Sequence, residues 1–282
     1  MISVLILTHN EAHDLPATLD SVAWCDDVHV FDSFSTDATA EIARARGAHL
    51  TQRKFDDYSS QRNAALDTLP FKHPWIFILD ADEQVSPELA AEIQSVVGDA
   101  AAEVAAFRVR RNDFFLGRQL KHAQMTPWYV RLVRHGRARY WRKVNEVLKV
   151  DGRVETLHQP LNHYPFSKGL DHWKAKHTRY ATMEAETIAA AQTNTQPSLA
   201  KALAAKDFHE RRLHQKALFY RMPARPLIKF LYLYMLRGGF LDGHAGYKYA
   251  RLQAWYESLI VQKTRDLRRK DSASAPPQTP SF

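Results

Sequence analysis

Short, almost continuously apolar runs that alternate with helical segments constrain the fold of the first hundred residues. Strands are predicted at 2–7, 28–32, 48–53 and 75–80, and helices at 14–23, 36–46 and 58–68. Ser35 can cap the second of these helices, and Ser86 followed by Pro87 begins another. Apolar strands between amphipathic helices are typical of a parallel sheet covered on both faces. The pattern predicts an α/β nucleotide-binding domain whose ligands lie at the carboxyl ends of the strands.

The rest of the chain changes character twice. Residues 101–165 contain strand-like pieces, and the sequence after residue 170 is helical, with an interruption expected at 194–197. We therefore predict three parts: a catalytic domain at 1–165, a helical and basic region at 166–270, and a tail at 271–282 whose composition is typical of disorder.

Charge is distributed unevenly along the chain. Residues 1–100 carry a net charge of −11, residues 101–220 carry +12, and residues 221–270 carry +8. An acidic first third argues against a surface that coats nucleic acid, so we expect no nucleic-acid partner. The N-terminus shows no basic region or cleavage site of a signal peptide, and the single cysteine, Cys25, fits a reducing compartment. We expect a cytoplasmic protein.

The stretch FILDADEQVS, residues 77–86, delivers two aspartates to the carboxyl end of the fourth predicted strand. Because side chains alternate along a strand, Asp80 and Asp82 can point the same way, with the small Ala81 between them. Two carboxylates at such a strand end indicate Mg²⁺ or Mn²⁺ bound together with a nucleotide diphosphate. The alternative is an acidic turn that caps the next helix, and two aspartates alone do not decide between these interpretations.

Polar residues also follow other predicted elements. Thr8, Asn10 and Glu11 lie at the end of the first strand, Asp32 ends the second, and Arg62 lies in the third helix. Asp32 could accept hydrogen bonds from a base or a ribose hydroxyl, and Arg62 could bind phosphate oxygens in bidentate geometry. The structural alternatives are an N-capping turn for Asp32 and a solvated helix residue for Arg62.

Several motifs occur together in one order along the chain. They are SVLILTHNE, VFDSFSTDAT, QRNAAL, WIFILDADE, WRKVNEVL, HY and GGFLDGHAG. In combination they resemble family 2 glycosyltransferases of the GT-A fold, over about residues 2–260, and most closely the branch that builds lipopolysaccharide core and related bacterial surface sugars. The resemblance implies a GT-A-type domain with a mixed, mainly parallel sheet and a C-terminal helical region. Two positions depart from the family pattern: Ser33 replaces an aspartate, and Asn145 replaces a histidine.

The resemblance implies roles for individual residues. Those expected to bind the donor are Thr8, Asn10, Glu11, Asp32, Arg62, Asn63 and Asp80. Asp80 and Asp82 are expected to hold the metal ion, Mg²⁺ or Mn²⁺, and His163 completes its shell unless it is a purely structural histidine. The donor is expected to be a UDP-linked sugar, and the acceptor a glycan or glycolipid such as lipopolysaccharide core.

The chemistry of glycosyl transfer requires a base as well as a metal. An acceptor hydroxyl attacks the anomeric carbon while the nucleoside diphosphate leaves, and a metal stabilises the charge on the leaving group. Glu146, in the basic and aromatic segment WRKVNEVL, is predicted to take the hydroxyl proton. A salt bridge from Glu146 to Arg142 or Lys143 is the alternative. A single displacement of this kind inverts the anomeric configuration.

The segment 223–240 has an apolar centre, 227–236, that is too short to span a bilayer. With Arg221, Arg225 and Arg237 around it, the segment could lie in a membrane interface and be attracted by anionic lipid. The expected location is then peripheral, on the cytoplasmic face of the inner membrane. A core helix packed on the catalytic domain is the alternative.

Two other functional classes share part of this pattern. A sugar nucleotidyltransferase also has a nucleotide-binding sheet and metal carboxylates, but its first turn is usually rich in glycine, whereas the turn here is THNEAHD. The presence of Asp80, Asp82 and Glu146 argues against a non-catalytic nucleotide-sugar-binding protein. A turnover measurement would distinguish such a protein from an enzyme.

Overall fold

The chain divides into two compact units. The computed structural model describes residues 1–124, 126–141, 147–191, 198–204 and 208–274. The first unit comprises Met1–Gln119 and Met125–Lys168, and the second comprises Leu120–Gln124 and Gly169–Phe282. The predicted base Glu146 and the predicted interruption at 194–197 lie outside the described residues.

Among the described residues, the first unit contains the strands and four of the helices. Its described strands are β1 (Ser3–Thr8), β2 (Val28–Asp32), β3 (His49–Gln52), β4 (Trp75–Asp80), β5 (Glu83–Gln84), β6 (Val104–Val109), β7 (Arg111–Phe115), β8 (Arg118–Gln119), β9 (Tyr129–Arg134), β10 (Ala138–Trp141), β11 (Val147–Val150), β12 (Arg153–Thr156) and β13 (Leu161–His163). Its described helices are α1 (Leu15–Ser21), α2 (Thr39–Ala45), α3 (Tyr58–Thr68) and α4 (Pro87–Asp99).

Helix α2 begins three residues later than predicted. Ser35 does not cap it, because the Ser35 hydroxyl donates a hydrogen bond to the carboxylate of Asp32. Asp37 instead accepts a hydrogen bond from the backbone N–H of Thr39, 3.0 Å away, and the helix starts there. In contrast, Ser86 caps α4 as predicted, with its hydroxyl accepting from the backbone N–H of Leu89 at 3.2 Å.

The main sheet is mixed and mainly parallel. Over the described residues it has seven strands in the order β12-β6-β9-β4-β1-β2-β3. The neighbouring strands β4, β1, β2 and β3 run parallel, whereas β9 is antiparallel to both of its neighbours. This confirms the predicted α/β fold class. Because β4, β1 and β2 are parallel, their carboxyl ends lie together at one edge of the sheet.

The central strands are buried on both faces. Val4 and Ile6 of β1 pack in one apolar cluster, whereas Leu5 between them packs in another. Phe77 and Ile78 of β4 divide between the same two clusters. Alternation of side chains along a strand explains this division, and helices cover each face. The two clusters fix the strands whose ends carry the polar residues.

A smaller sheet with the order β5-β13-β7-β8 lies beyond the end of β4. Strand β13 runs antiparallel to β5 and parallel to β7. Its register places His163 opposite Glu83 on one side and opposite Asp113 on the other. Residues that are far apart in sequence therefore meet close to the predicted metal site.

The second unit is helical over its described residues. Its helices are α5 (Gly169–Ala191), α6 (Leu199–Ala204), α7 (Phe208–Arg221), α8 (Arg225–Leu231) and α9 (Gly243–Ser274). A π-helical segment, Tyr232–Leu236, continues α8. Residues 271–274, predicted as the start of the disordered tail, lie in α9, and residues 275–282 lie outside the described part. Searched over the described residues, the helices include none with the length and apolar character needed to cross a bilayer.

The GGFLDGHAG motif has a structural role within the second unit. The carboxylate of Asp242 accepts hydrogen bonds from the backbone N–H groups of residues 121–123, at 3.1, 3.0 and 2.8 Å. A Cβ atom on Gly246 would lie 1.9 Å from the carbonyl oxygen of Gly239, which no side chain allows. The motif therefore ties segment Leu120–Gln124 to the helices and packs the start of α9 closely.

Candidate active site

The ends of β1 and β2 are joined through the carboxylate of Asp32. Thr8 Oγ1 donates to this carboxylate at 2.9 Å, as do the backbone N–H of Ser35 and Nε2 of Gln52. Asp32 is completely buried. Burial alone would raise its pKa, but the hydrogen bonds from Ser35, Gln52 and Thr8 hold the pKa of Asp32 below its ordinary value. A base or ribose donor would have to displace one of these protein donors.

The turn after β1 is held by a lysine. Asn10 has the left-handed backbone conformation, with φ of 56°, and its side-chain oxygen accepts from the backbone N–H of Thr36 at 2.8 Å. Lys168 Nζ lies 2.7 Å from the carbonyl oxygen of Asn10 and 2.7 Å from a carboxylate oxygen of Glu11. Burial raises the pKa of Glu11 to about 7, against the opposing effect of Lys168.

Asp80, at the end of β4, is bound by two arginines. Arg62 Nη2 lies 2.9 Å from one of its carboxylate oxygens, and Arg131 Nη2 lies 2.7 Å from the other. Burial alone would raise the pKa of Asp80, but Arg131 and Arg62 hold it well below its ordinary value. Asp80, the first of the two aspartates, is therefore ionised, and the two arginines fix the orientation of its carboxylate.

Arg131 also neutralises Glu83. Its Nη2 donates to Glu83 Oε1 at 2.6 Å, and the second oxygen of Glu83 accepts from the backbone N–H of Asp80 at 3.0 Å. Glu83 is completely buried and Arg131 is 5% exposed. One guanidinium thus holds two carboxylates at the end of β4.

Asp82, the second aspartate, faces His163. Asp82 Oδ2 lies 3.5 Å from His163 Nε2. His163 Nδ1 is 2.5 Å from Asp113, whose other oxygen accepts from Thr126 Oγ1 at 2.6 Å. Burial alone would lower the pKa of His163, but hydrogen bonds with Asp113 and Asp82 raise it to about 9. A carboxylate behind a histidine ring is the usual support of a metal-binding histidine, and the protonated ring would release its proton when a metal binds.

These residues fit a metal ion that binds together with a substrate. Within the described ranges, no group of three or more His, Cys, Asp or Glu side chains is arranged to hold a metal. Asp80 is turned toward Arg62 and Arg131, which leaves Asp82 and His163 facing each other. Mg²⁺ commonly takes one or two protein carboxylates and completes its shell with waters and substrate phosphates. The pair suits that mode of binding and not a preformed cage.

Helix α3 supports the site through two adjacent residues. Asn63 exchanges hydrogen bonds of 2.9 Å with both the N–H and the carbonyl oxygen of Tyr140, and so joins α3 to β10. The guanidinium carbon of Arg62 lies 5.3 Å from the centre of the Tyr140 ring. In this geometry both residues contact protein groups: Asn63 fixes the helix and Arg62 holds Asp80.

Several residues of this arrangement were not among the predicted site residues. They include Glu83, Asp113, Arg131 and Lys168. Arg131 had a signal, because it stands inside the apolar run YVRLV and a charged residue is rarely buried without a partner. The sequence gives no such indication for Asp113 or Lys168, because their contacts depend on how distant strands pair and on where the chain turns back.

Replacing Arg131 by methionine is expected to lower the free energy of unfolding by about 3–5 kcal/mol, because it removes the guanidinium that bonds the buried Glu83 at 2.6 Å and leaves it with Arg111, 3.6 Å away. The additional change Glu83→Gln removes the poorly compensated charge and should recover part of that loss. Urea unfolding of both variants measures the difference, with Arg118→Met, at an exposed position, as the control. A loss below 1 kcal/mol for Arg131→Met would show that the arginine does not stabilise the pair.

Comparison with curated proteins gives two informative relatives. The chain is 26% identical over 277 residues to the lipopolysaccharide core biosynthesis glycosyltransferase LpsC of Rhizobium meliloti, covering 93% of this chain and 91% of that protein. It is 36% identical over 121 residues to an uncharacterized glycosyltransferase of Rickettsia bellii, covering 43% of this chain and 37% of that protein. The chain thus spans most of the length of LpsC and little more than a third of the second relative.

Comparison with solved structures gives distant matches. Staphylococcus aureus TarS is similar over 98% of this chain and 93% of the TarS chain, with 12% identity and a TM-score of 0.46. Glucosyl-3-phosphoglycerate synthase of Mycobacterium tuberculosis, solved with Mg²⁺ and UDP, covers 42% of this chain and 44% of its own, with 20% identity and a TM-score of 0.32.

The strand ends described above lie within one family match. The family model described as glycosyl transferase family 2 matches residues 3–156, more than half of the 282 residues. That range contains β1 to β12 and both aspartates of the FILDADEQVS stretch. The chain therefore belongs to glycosyl transferase family 2, as its motifs predicted, and is a glycosyltransferase.

Proposed function

We propose that the protein is an inverting, metal-dependent glycosyltransferase that moves a sugar from a UDP-linked donor to a hydroxyl group of a bacterial surface glycan or glycolipid. The observation that carries the proposal is the facing pair Asp82 and His163, with Asp113 behind the histidine, beside the arginine-bound Asp80. The likeness to LpsC over 93% of the chain supports lipopolysaccharide core as the acceptor class.

Each residue of the site has a defined part in this proposal. Asp82 and His163 would hold Mg²⁺ or Mn²⁺, and Asp113 would keep the His163 ring in place through its Nδ1. When bound, the metal would stabilise negative charge on the leaving diphosphate. The carboxylate of Asp80, which Arg62 and Arg131 hold in place, would orient the donor.

The acceptor side needs a proton acceptor. Glu146 remains our proposed base, and direct attack by the acceptor hydroxyl from the face opposite the diphosphate would invert the anomeric carbon. The donor side and the base would then act on opposite faces of the sugar. Thr8, Asn10 and Glu11 would line the nucleotide from the turn that Lys168 holds.

The metal requirement is tested by calorimetry with UDP. We expect EDTA to weaken UDP binding about a hundredfold or more, because a metal that neutralises diphosphate contributes several kcal/mol. Uridine, which lacks the diphosphate, is the matched control and should bind equally with and without EDTA. A donor screen that follows release of nucleoside diphosphate from a panel of nucleotide sugars then identifies the sugar. Equal UDP affinity under both conditions would contradict the metal role of Asp82 and His163.

We further propose peripheral contact with the cytoplasmic face of a membrane. Leu227 and Leu231 in α8 and Met235 in the π-helical segment recur every fourth residue, and they are 57%, 45% and 56% exposed. This exposed row, which we call the apolar row, favours the interface alternative over a buried core helix. Arg225 does not contribute to lipid attraction as predicted, because it is buried and paired with Glu257.

A further inference from the structure

A basic cavity of about 970 Å³ lies within the second unit, and glycosyl transfer gives it no role. Two segments form its walls, residues 220–226 and the part of α9 between residues 258 and 269. Its lining includes the arginines Arg221, Arg225, Arg265, Arg268 and Arg269. Asp266 is the one acidic side chain among the described lining residues. The cavity is therefore strongly positive.

Arg225 lines the cavity but adds no net charge to it. It is 5% exposed, forms an ion pair with Glu257, and its guanidinium carbon lies 4.9 Å from the centre of the Tyr220 ring. Its charge is therefore compensated inside the protein, and its position is fixed by packing. The positive charge that faces solvent comes from the other arginines of the lining, which are exposed.

Three of those arginines lie on one face of α9. Arg265, Arg268 and Arg269 are separated by three and four residues, so their side chains are neighbours on the helix. A guanidinium matches phosphate oxygens with two parallel hydrogen bonds, and neighbouring arginines on one helix face can share one phosphate group. The spacing therefore favours an anion with several oxygens.

The surroundings of the cavity favour a lipid over a soluble phosphate compound. Met222 lines the cavity and is 45% exposed, and the apolar row begins at Leu227, directly after the last residue of the first wall. Basic side chains beside exposed aliphatic side chains are typical of surfaces that lie on anionic bilayers. A site for a soluble phosphate would not need this apolar border.

We propose that the cavity, which we call the arginine cavity, binds the phosphate headgroup of an anionic phospholipid while the apolar row enters the lipid interface. The proposal deepens the membrane contact proposed above and rests on it, but it is independent of metal binding and of sugar transfer. Arg265 and Arg269, one turn of α9 apart, are the residues expected to contact the phosphate.

Sedimentation with vesicles tests the headgroup. The full chain is expected to bind vesicles of phosphatidylcholine with phosphatidylglycerol and to bind pure phosphatidylcholine weakly. The double variant Arg265→Gln/Arg269→Gln should lose roughly 30-fold in partition onto the anionic vesicles, since each basic residue near such a surface contributes about a fivefold factor. The matched control Arg118→Gln/Arg179→Gln removes the same charge at exposed positions outside the cavity and should change partition by no more than about twofold. Equal losses in both double variants would overturn the proposal in favour of general charge attraction.

Calorimetry with soluble probes separates a lipid from free phosphate. Dihexanoyl phosphatidylglycerol below its micelle concentration should bind the unmutated protein and not Arg265→Gln/Arg269→Gln. Inorganic phosphate bound as tightly as this lipid would overturn the lipid assignment.

The variant Leu227→Ser/Leu231→Ser should lose vesicle binding but still bind the soluble lipid, which distinguishes the role of the arginine cavity from that of the apolar row. Release of nucleoside diphosphate from the donor should be unchanged in all these variants, so failure here is distinct from failure of the proposed transferase.

Discussion

Asp82→Asn is expected to abolish sugar transfer, with turnover falling on the order of 10³-fold or more, while the fold survives. Asparagine keeps the shape of the side chain but removes the negative charge that a divalent cation requires. Charge stabilisation of a leaving diphosphate is worth several kcal/mol, and each 1.4 kcal/mol changes a rate about tenfold. The fold should survive because the side chain of Asp82 is 26% exposed, whereas the completely buried Glu83 holds Arg131 at the end of β4.

The measurement for Asp82→Asn combines turnover, UDP calorimetry and urea unfolding. Asp99→Asn, at the exposed end of α4, removes the same charge from the same acidic third of the chain and should keep full turnover. The free energy of unfolding of Asp82→Asn should stay within about 1 kcal/mol of the parent. Turnover within tenfold of the parent, at equal metal concentration, would exclude Asp82 as a metal ligand.

The uneven charge along the chain is partly explained by pairing inside the first unit. Arg131 and Lys168 come from the basic middle of the sequence, and they bind Asp80, Glu83 and Glu11 of the acidic first third. Net charges of −11 and +12 in successive segments therefore describe internal partners as well as external ones. In the second unit, Arg225 pairs with Glu257 in the same way, whereas the exposed arginines of the arginine cavity place positive charge at the surface.

The central sheet could be predicted from sequence because its signals are local. Strand β4 and helix α3 have the predicted bounds, because each is set by a short local pattern, a continuous apolar run of 6 residues and a helical pattern of 11 residues. The cap of α4 by Ser86 is equally local. Ser35 failed as a cap because a competing carboxylate, Asp32, lies three residues before it and takes its hydroxyl.

The partners of the site residues could not be predicted, because they depend on pairing between distant strands. His163 meets Asp113 only through the parallel register of β13 and β7, fifty residues apart. The antiparallel register of β13 and β5 then brings it to Glu83. Motifs placed Asp80, Asp82 and His163 in one site, but they did not indicate that arginines would hold the first aspartate.

The acceptor base stays a proposal, and the structure bears on two other carboxylates that could take the proton, Asp113 and Asp151. Asp113 is 1% exposed and bonded to both His163 and Thr126, so it has no position from which to take a proton from an acceptor. The side chain of Asp151 is 90% exposed and lies 3.3 Å from Arg137 at a turn. A base needs hydrogen-bond reach to the acceptor hydroxyl in a site shielded from water. Neither aspartate meets that condition, which leaves Glu146 as our proposal.

Glu146→Gln is expected to reduce turnover by roughly 10²–10⁴-fold, the usual contribution of a positioned base. Glutamine keeps the size of the side chain but cannot accept the proton as a carboxylate does, and the donor side of the site is unchanged. UDP affinity measured by calorimetry should therefore stay nearly constant while release of nucleoside diphosphate in the presence of acceptor falls. Asp151→Asn is the matched control and should keep turnover within about twofold. Loss of UDP binding in Glu146→Gln would place Glu146 on the nucleotide side, and turnover within a few-fold of the parent would show that another group takes the proton.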